Sequence, residues 1–222
     1  MTFEINQFPE VSVLISCYNH EKWIMRCLRS LNNQLNIPHD NFEIILVDDG
    51  SNDNFKSLVP KINKLKNLKL ITNKKNIGLP ASLNKAIQNS TGRYLVRVDS
   101  DDYVERNFLF FLKYFLNKNP HFHAVSSDYY EVSDNEQIIK RCFSKRKEIA
   151  CGVMYRRECL YDVGLFNTDF KMREGHELHK KFKKKFNIAY IQLPLYKYRM
   201  HSSNRTKDKK SLKKYDQKLN KK

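Results

Sequence analysis

The sequence predicts an α/β fold: a doubly wound, mostly parallel sheet with helices on both faces. Three observations predict it. The N-terminal half contains four short, β-branched, mostly apolar runs. The segments between them carry apolar residues at helical spacing, and each run stops at a cluster of Asp, Asn, Ser or Gly. Strands that alternate with helices pair in parallel and are covered on both faces, so they read as continuous apolar runs rather than alternating ones.

Val11–Ser16 (VSVLIS) is the first strand, and Ile24, Cys27, Leu28 and Leu31 place an apolar stripe on the helix behind it. Glu43–Val47 (EIILV) is the second, followed by the stripe Phe55, Leu58, Ile62 and Leu65. Leu68–Thr72 (LKLIT) is the third, followed by Leu79, Leu83, Ala86 and Ile87; Tyr94–Val98 (YLVRV) is the fourth. Asn107–Leu116 (NFLFFLKYFL) reads as a further helix whose aromatic residues form a packing face. After it the pattern changes. Ala124–Val132 alternates like a strand, Arg156–Val163 and Glu174–Phe186 carry helical spacing, and Ala189–Tyr198 reads as extended around Pro194. This second half is expected to decorate the sheet as an α+β region. From about Thr206, Leu212, Tyr215 and Leu219 stand at helical spacing among lysines. One domain over residues 1–205 and a Lys-rich tail over 206–222 are therefore expected.

The chain has 222 residues, 41% of them hydrophobic, with six Pro and six Gly, which suits a packed globular domain. Its apolar runs reach only about five residues, where a membrane span needs roughly twenty and a secretory core about 7–15. Five cysteines form no CxxC pair and leave an odd thiol, which fits a reducing compartment, so a cytoplasmic location is expected. The net charge of +17 is concentrated in residues 171–222, which hold 18 Lys and Arg against four Asp and Glu. A basic amphipathic end suits an anionic membrane surface, which would make the protein peripheral at the inner face of the membrane; a plain solvated tail is the simpler alternative. Nucleic-acid binding would spread basic residues over the body, which here is nearly neutral.

Ligands of open α/β sheets bind beyond the carboxyl ends of the strands. There the chain places Cys17-Tyr18-Asn19-His20, Asp48-Asp49-Gly50-Ser51, Asn73 with Asn76 and Gly78, and Asp99-Ser100-Asp101-Asp102. Each cluster alone suits a turn or helix cap. Together, five carboxylates on one rim repel unless a cation or hydrogen-bond donors offset them. Asp99 and Asp101 can bracket one hard ion, and Mg²⁺ or Mn²⁺ keeps water and phosphate ligands beside so few carboxylates. The chain has no Walker loop and no GxGxxG, which argues against P-loop ATPases and dinucleotide-dependent dehydrogenases.

The strings VSVLISCYNHEKWIMRCLRSL, IILVDDGSND and NIGLPASLNKAIQNSTGRYLVRVDSDDYV resemble the nucleotide-sugar-binding half of family 2 glycosyltransferases with the GT-A fold. VMYRRECLYDVGLF, MREGHELHKKF and PLYKYRMHSSNRT resemble the acceptor half more loosely. The resemblance implies a donor half over about 9–104 and an acceptor half over about 105–205. It implies that Asp48 and Asp49 contact the nucleoside, that Ser16, Tyr18 and Asn19 line the base and ribose, and that Asn76, Gly78 and Ser100 belong to the nucleotide-sugar site. Asp99 and Asp101 match the Asp-x-Asp element, with Asp101 implied as ligand to Mn²⁺ or Mg²⁺, and His201 matches a position that closes over metal or pyrophosphate. The implied reaction is inverting, metal-dependent transfer from a nucleotide-diphosphate sugar, by resemblance a UDP-sugar, to a hydroxyl of a glycan or lipid-linked acceptor, as in cell-surface polysaccharide synthesis.

Two departures stand out. Cys17 replaces a usual proline, which alters loop stiffness more than chemistry. Gly175 stands where members commonly carry the catalytic Asp of a Glu-Asp pair, while Glu174, Leu178 and Lys181 keep the frame. The base is then expected to be Glu174, with Gly175 lending backbone freedom; Glu177, one turn on, is the second candidate and Asp128 a third. A catalytically silent nucleotide-sugar-binding relative is the alternative function. His176 and His179 are one residue short of zincin spacing, His121 and His123 are expected at the surface, and Trp23 is expected in the core.

Overall fold

The computed structural model describes residues 8–221. Its first half follows the predicted alternation: β1 (Val11–Cys17), α1 (Glu21–Asn32), β2 (Phe42–Asp48), α2 (Val59–Ile62), β3 (Leu68–Thr72), α3 (Leu79–Gln88) and β4 (Tyr94–Arg97). The one shortfall is the second helix. Residues Asn54–Leu58 form a 3-10 turn, and α2 is a single turn with Pro60 near its start. Proline lacks an N–H and is tolerated only in a first turn, so a helix through residues 55–65 would break at Pro60.

The second half adds β5 (Tyr103–Val104), α4 (Phe108–Lys118), β6 (Ala124–Ser133), β7 (Ile138–Cys142), β8 (Val153–Arg156), α5 (Arg157–Asp162), α6 (Glu174–Lys183), β9 (Ile188–Met200) and α7 (Lys209–Asn220). Three of its strands escape the sequence reading. β5 is two residues long, β7 is an edge strand whose Ile138 and Ile139 are exposed, and β8 runs directly into α5. Pro194 lies inside β9, and the pairing with β6 slips there: Ser127 faces Ile191 but Asp128 faces Pro194. A residue without an N–H cannot serve the ladder, and a bulge absorbs it.

The strand order is β3-β2-β1-β4-β8-β6-β9-β5, with β7 on β6. The first four strands are all parallel, and β8 joins them antiparallel. Because β1 has β2 on one side and β4 on the other, the crevice of a doubly wound sheet opens beyond the carboxyl end of β1. Alternation along the strands feeds two cores. Val13, Ile15, Ile44 and Leu46 pack with α1 and α4, whereas Leu14, Ile45 and Val47 pack with α3, α5 and α6. Each such buried aliphatic side chain contributes about 1.5–3 kcal/mol, so the two faces fix the register and aim the polar strand ends at one rim. The five cysteines are buried and free. Among the described residues, no helix is long and apolar enough to cross a membrane.

α7 is docked rather than projecting. Tyr215 packs 6.0 Å from the Phe170 ring, Lys180 donates to the Leu219 carbonyl at 2.8 Å, and Arg173 grips Asp216 through two bonds of 2.7 and 3.2 Å. Its Tyr215 is thus spent on the body, Lys218 turns to the Asp169 carbonyl, and Lys209, Lys210, Lys213 and Lys214 are exposed.

Candidate active site

A cleft of about 930 Å³ opens at the carboxyl rim, between the β1, β2 and β4 ends and the start of α6. Ser16, Tyr18, Asn19, Asp49, Asn76, Gly78, Asp99, Ser100, Asp101 and Glu174 all line it; Asp48, Glu177, Asp128 and His201 do not. On the donor side the polar strand ends first hold one another. Asn19, in the left-handed region at φ 56, accepts at its Oδ1 from the Asn52 N–H at 2.9 Å. Asp48 accepts from Ser51 N–H at 3.0 Å, facing its own turn rather than the cleft. Asp49 accepts from Asn73, Ile77 N–H and Gly78 N–H, each at 2.9 Å, and so fixes the 73–78 loop while lining the cleft. Gly50, at φ 72, passes so close that a Cβ would meet the Lys75 carbonyl carbon at 2.7 Å. Cys17 lies beneath this loop as inert packing, its thiol pushed up to about 12 by burial.

The Asp99–Asp102 turn divides its carboxylates among different partners. Asp101 Oδ2 lies 2.9 Å from His201 Nε2, and His201 Nδ1 is 2.9 Å from Ser203 Oγ. Burial pushes the Asp101 carboxyl up, but the His201 hydrogen bond and the His20 and His201 imidazoles outweigh it and hold it below the ordinary range. Trp23, half-buried rather than in the core, stacks 4.1 Å from the His201 ring and donates to Asp134 at 2.7 Å. His20 meets Ser100 Oγ at 2.8 Å. Asp102 is buried away from the cleft, accepting from Tyr196 O–H at 2.8 Å and Arg199 N–H at 2.7 Å.

Two sets of residues could hold a divalent ion. Asp99, Asp102 and Cys151 cluster within 4.8 Å. Burial pushes both Asp102 and Cys151 well above their ordinary values, which disfavours the anionic forms a metal needs, and Arg97 already grips both Asp99 oxygens. Asp101 Oδ2 and His201 Nε2, 2.9 Å apart, fit better, since a carboxylate and an imidazole side by side would hold an ion that keeps water and phosphate as its other ligands. Asp101 lines the cleft, and His201 stands directly behind it.

On the α6 side of the cleft, Glu174 is the first residue of the helix and only 4% exposed. Arg97, itself 6% exposed, donates from Nη1 to Glu174 Oε1 at 2.9 Å and grips both Asp99 oxygens, at 2.6 and 3.1 Å. Glu174 Oε2 has no hydrogen-bond partner among the described residues. The residue ahead of it, Arg173, sits in the left-handed region at φ 65, a costly conformation for a non-glycine residue. Glu177 is buried on another side of α6, with Lys181 at 3.3 Å, and Asp128 is taken up by Arg141 and the Ser144 N–H. Neither faces the cleft. Glu131 and Glu148 do line it, unforeseen from the sequence, but Lys147 and Lys140 occupy the first, and Lys183 and Tyr190 the second.

Gly175 does not supply backbone freedom, because it lies within helix α6. What it supplies is room: a Cβ there would meet Ala150 Cβ at 2.3 Å and Ala150 Cα at 3.1 Å. The segment before β8 has closed over the position where a second acid would project.

A doubly wound sheet with a mixed second half and an acidic rim facing one cleft is the architecture of the GT-A class. The chain belongs to glycosyl transferase family 2, whose sequence model matches residues 12–195. EpsH of Bacillus subtilis is 30% identical over 217 residues, covering 88% of this chain and 62% of that protein. A poly-beta-1,6-N-acetyl-D-glucosamine synthase of Staphylococcus epidermidis is 23% identical over 185 residues, covering 75% of this chain and 44% of that one. Among solved structures, S. aureus TarS 1–349 superposes with a TM-score of 0.73 at 25% identity, covering 86% of this chain and 60% of that one. The chain thus spans less than two thirds of each of these relatives.

Two outcomes follow from the α6 side. Gly175→Asp, which restores the family's usual residue, is expected to lower stability by about 1–3 kcal/mol in urea unfolding. The loss should be largely relieved in an Ala150→Gly background. Burial, aided by the Arg173 charge, pulls the His176 imidazole down to about 4, against about 6.5 in an unfolded chain. Between those values the unfolded chain holds the extra proton, so stability falls as pH drops from about 6.5 to about 4, by up to about 3 kcal/mol. Urea midpoints across that range should fall less steeply in His176→Gln.

Proposed function

We propose that the chain transfers a sugar from a nucleotide-diphosphate donor, a UDP-sugar, to a hydroxyl of a glycan or lipid-linked acceptor, with inversion. The observation that carries this reading is that Asp101, backed by His201, and a separate carboxylate, Glu174, held through Arg97, line one cleft. Bound at Asp101 and His201, Mn²⁺ or Mg²⁺ would offset the charge that develops on the departing diphosphate. Asp99 supports that turn, and Tyr18, Asn19, Asp49 and the 76–78 loop wall the nucleoside end. Glu174 Oε2 accepts the proton of the acceptor hydroxyl as its oxygen attacks the anomeric carbon and the bond to the diphosphate oxygen breaks. TarS structures with UDP and with UDP-GlcNAc support the choice of donor, and the poly-N-acetylglucosamine synthase supports a polysaccharide acceptor.

The exposed lysines of α7 favour an anionic membrane face, at roughly 1 kcal/mol for each lysine near it. The attraction is electrostatic, since Tyr215 of α7 is packed on the body. One observation favours a second reading, a silent donor-binding protein: Ala150 fills the space of the missing acid.

Calorimetric titration of UDP with Mn²⁺ is expected to show binding that weakens about tenfold or more with EDTA or in Asp101→Asn; equal affinity in all cases contradicts the ion site at Asp101, and no binding in any case contradicts the donor site. Release of UDP from the UDP-sugar is expected to slow by ~10²–10⁴ in Glu174→Gln with donor affinity intact. An enzyme that turns over equally in wild type and variant has another base, and wild type that binds donor without turnover is the silent protein.

A further inference from the structure

The cleft continues past Glu174. At its α6-side rim, Lys171 and Arg205 line both the cleft and a second pocket of about 410 Å³, whose other wall is Ser211, Lys214 and Tyr215 of α7. Of the neighbouring basic groups, Arg173 is paired with Asp216, and Lys218 donates to the Asp169 carbonyl at 3.1 Å. Arg205 donates to the Lys171 carbonyl, and none of Lys171, Arg205 and Lys214 is ion-paired to a carboxylate among the described residues. The one acid in the lining, Asp208, caps α7 by accepting from the Ser211 N–H at 3.0 Å, a bond that holds its carboxyl below the ordinary range. The pocket therefore keeps a surplus of positive charge beside the place where the acceptor hydroxyl must lie. α7, which carries Lys214, is docked on the body through Tyr215 and the Arg173–Asp216 pair.

We infer that this pocket binds a phosphate group carried by the acceptor. Three cationic donors around one cavity suit a group with several anionic oxygens, and a volume of this order admits a phosphate with part of the sugar or glycerol it is attached to. The acceptor class is then a phosphate-bearing glycan or a lipid-linked phosphate. This inference rests on the proposed transferase reading for the word acceptor, but the binding site itself does not.

Glycerol 3-phosphate serves as the soluble probe and phosphatidic acid vesicles as the lipid probe, each titrated into wild type, Lys214→Gln and Arg205→Gln, with UDP and Mn²⁺ titrated in parallel. Saturable binding of glycerol 3-phosphate, weakened about fivefold or more in each variant and by added salt, is the expected result. Vesicle binding lost in the same variants assigns the phosphate to a lipid; binding of the soluble ester alone assigns it to a glycan. Absence of saturable binding, or equal affinity in wild type and both variants, overturns the pocket. UDP binding without phosphate-ester binding overturns the pocket and spares the donor reading, whereas phosphate-ester binding without UDP binding supports the pocket and overturns the donor reading.

Discussion

One buried guanidinium holds the two halves of this cleft together. Arg97 ends β4, on the donor side, and joins Asp99 in its own strand end to Glu174 at the start of α6, 77 residues away. Two carboxylates in a largely dry site repel, and removing one member of such a buried set costs about 3–5 kcal/mol because a charge is left without its partner. The Asp99–Asp102 turn is held by further bonds. Asp99 N–H donates to Tyr196 O–H, Tyr196 donates to Asp102, and Arg199 reaches back to the Asp101 carbonyl at 2.8 Å, so Asp101 meets His201 from a turn fixed at several points. β9, which carries Tyr196 and Arg199, thus belongs to the site as much as the strand ends do.

The basic C-terminal helix has a structural place in this scheme. Asp216 pins Arg173, the left-handed residue that delivers Glu174 into the cleft. Leu212 and Arg205 reach the same cleft. The helix therefore closes the α6 side of the cleft, and its exposed lysines remain for other partners.

Much of this was legible in the sequence, for physical reasons. The strand and helix alternation follows from period, and the rim follows from turn chemistry at strand ends. The five rim carboxylates do find the offsetting groups that their crowding demands, although mostly as neighbouring N–H and O–H donors. The rest depends on pairing across the chain. Arg97 hid inside YLVRV, yet a charge in a strand covered on both faces was itself a sign that a buried counter-charge existed. Trp23 shared its stripe with core residues, and only the return of β9 brought His201 onto its ring. Gly175 looked like a loss of chemistry with a gain of freedom. The structure shows a close backbone approach instead, which depends on a segment distant in sequence. β7 was unreadable because an exposed edge strand buries almost nothing and so carries no apolar pattern.

The most direct measurement of this dependence is a double-mutant cycle on Arg97→Met and Glu174→Gln, read as unfolding free energies in urea. If Arg97 binds the α6 side to the donor side, the Arg97 substitution is costly alone and markedly less so once Glu174 is neutral, with a coupling of about 1–3 kcal/mol. Effects that add to within about 0.5 kcal/mol would contradict the account, because Arg97 and Glu174 would then be neighbours without being partners.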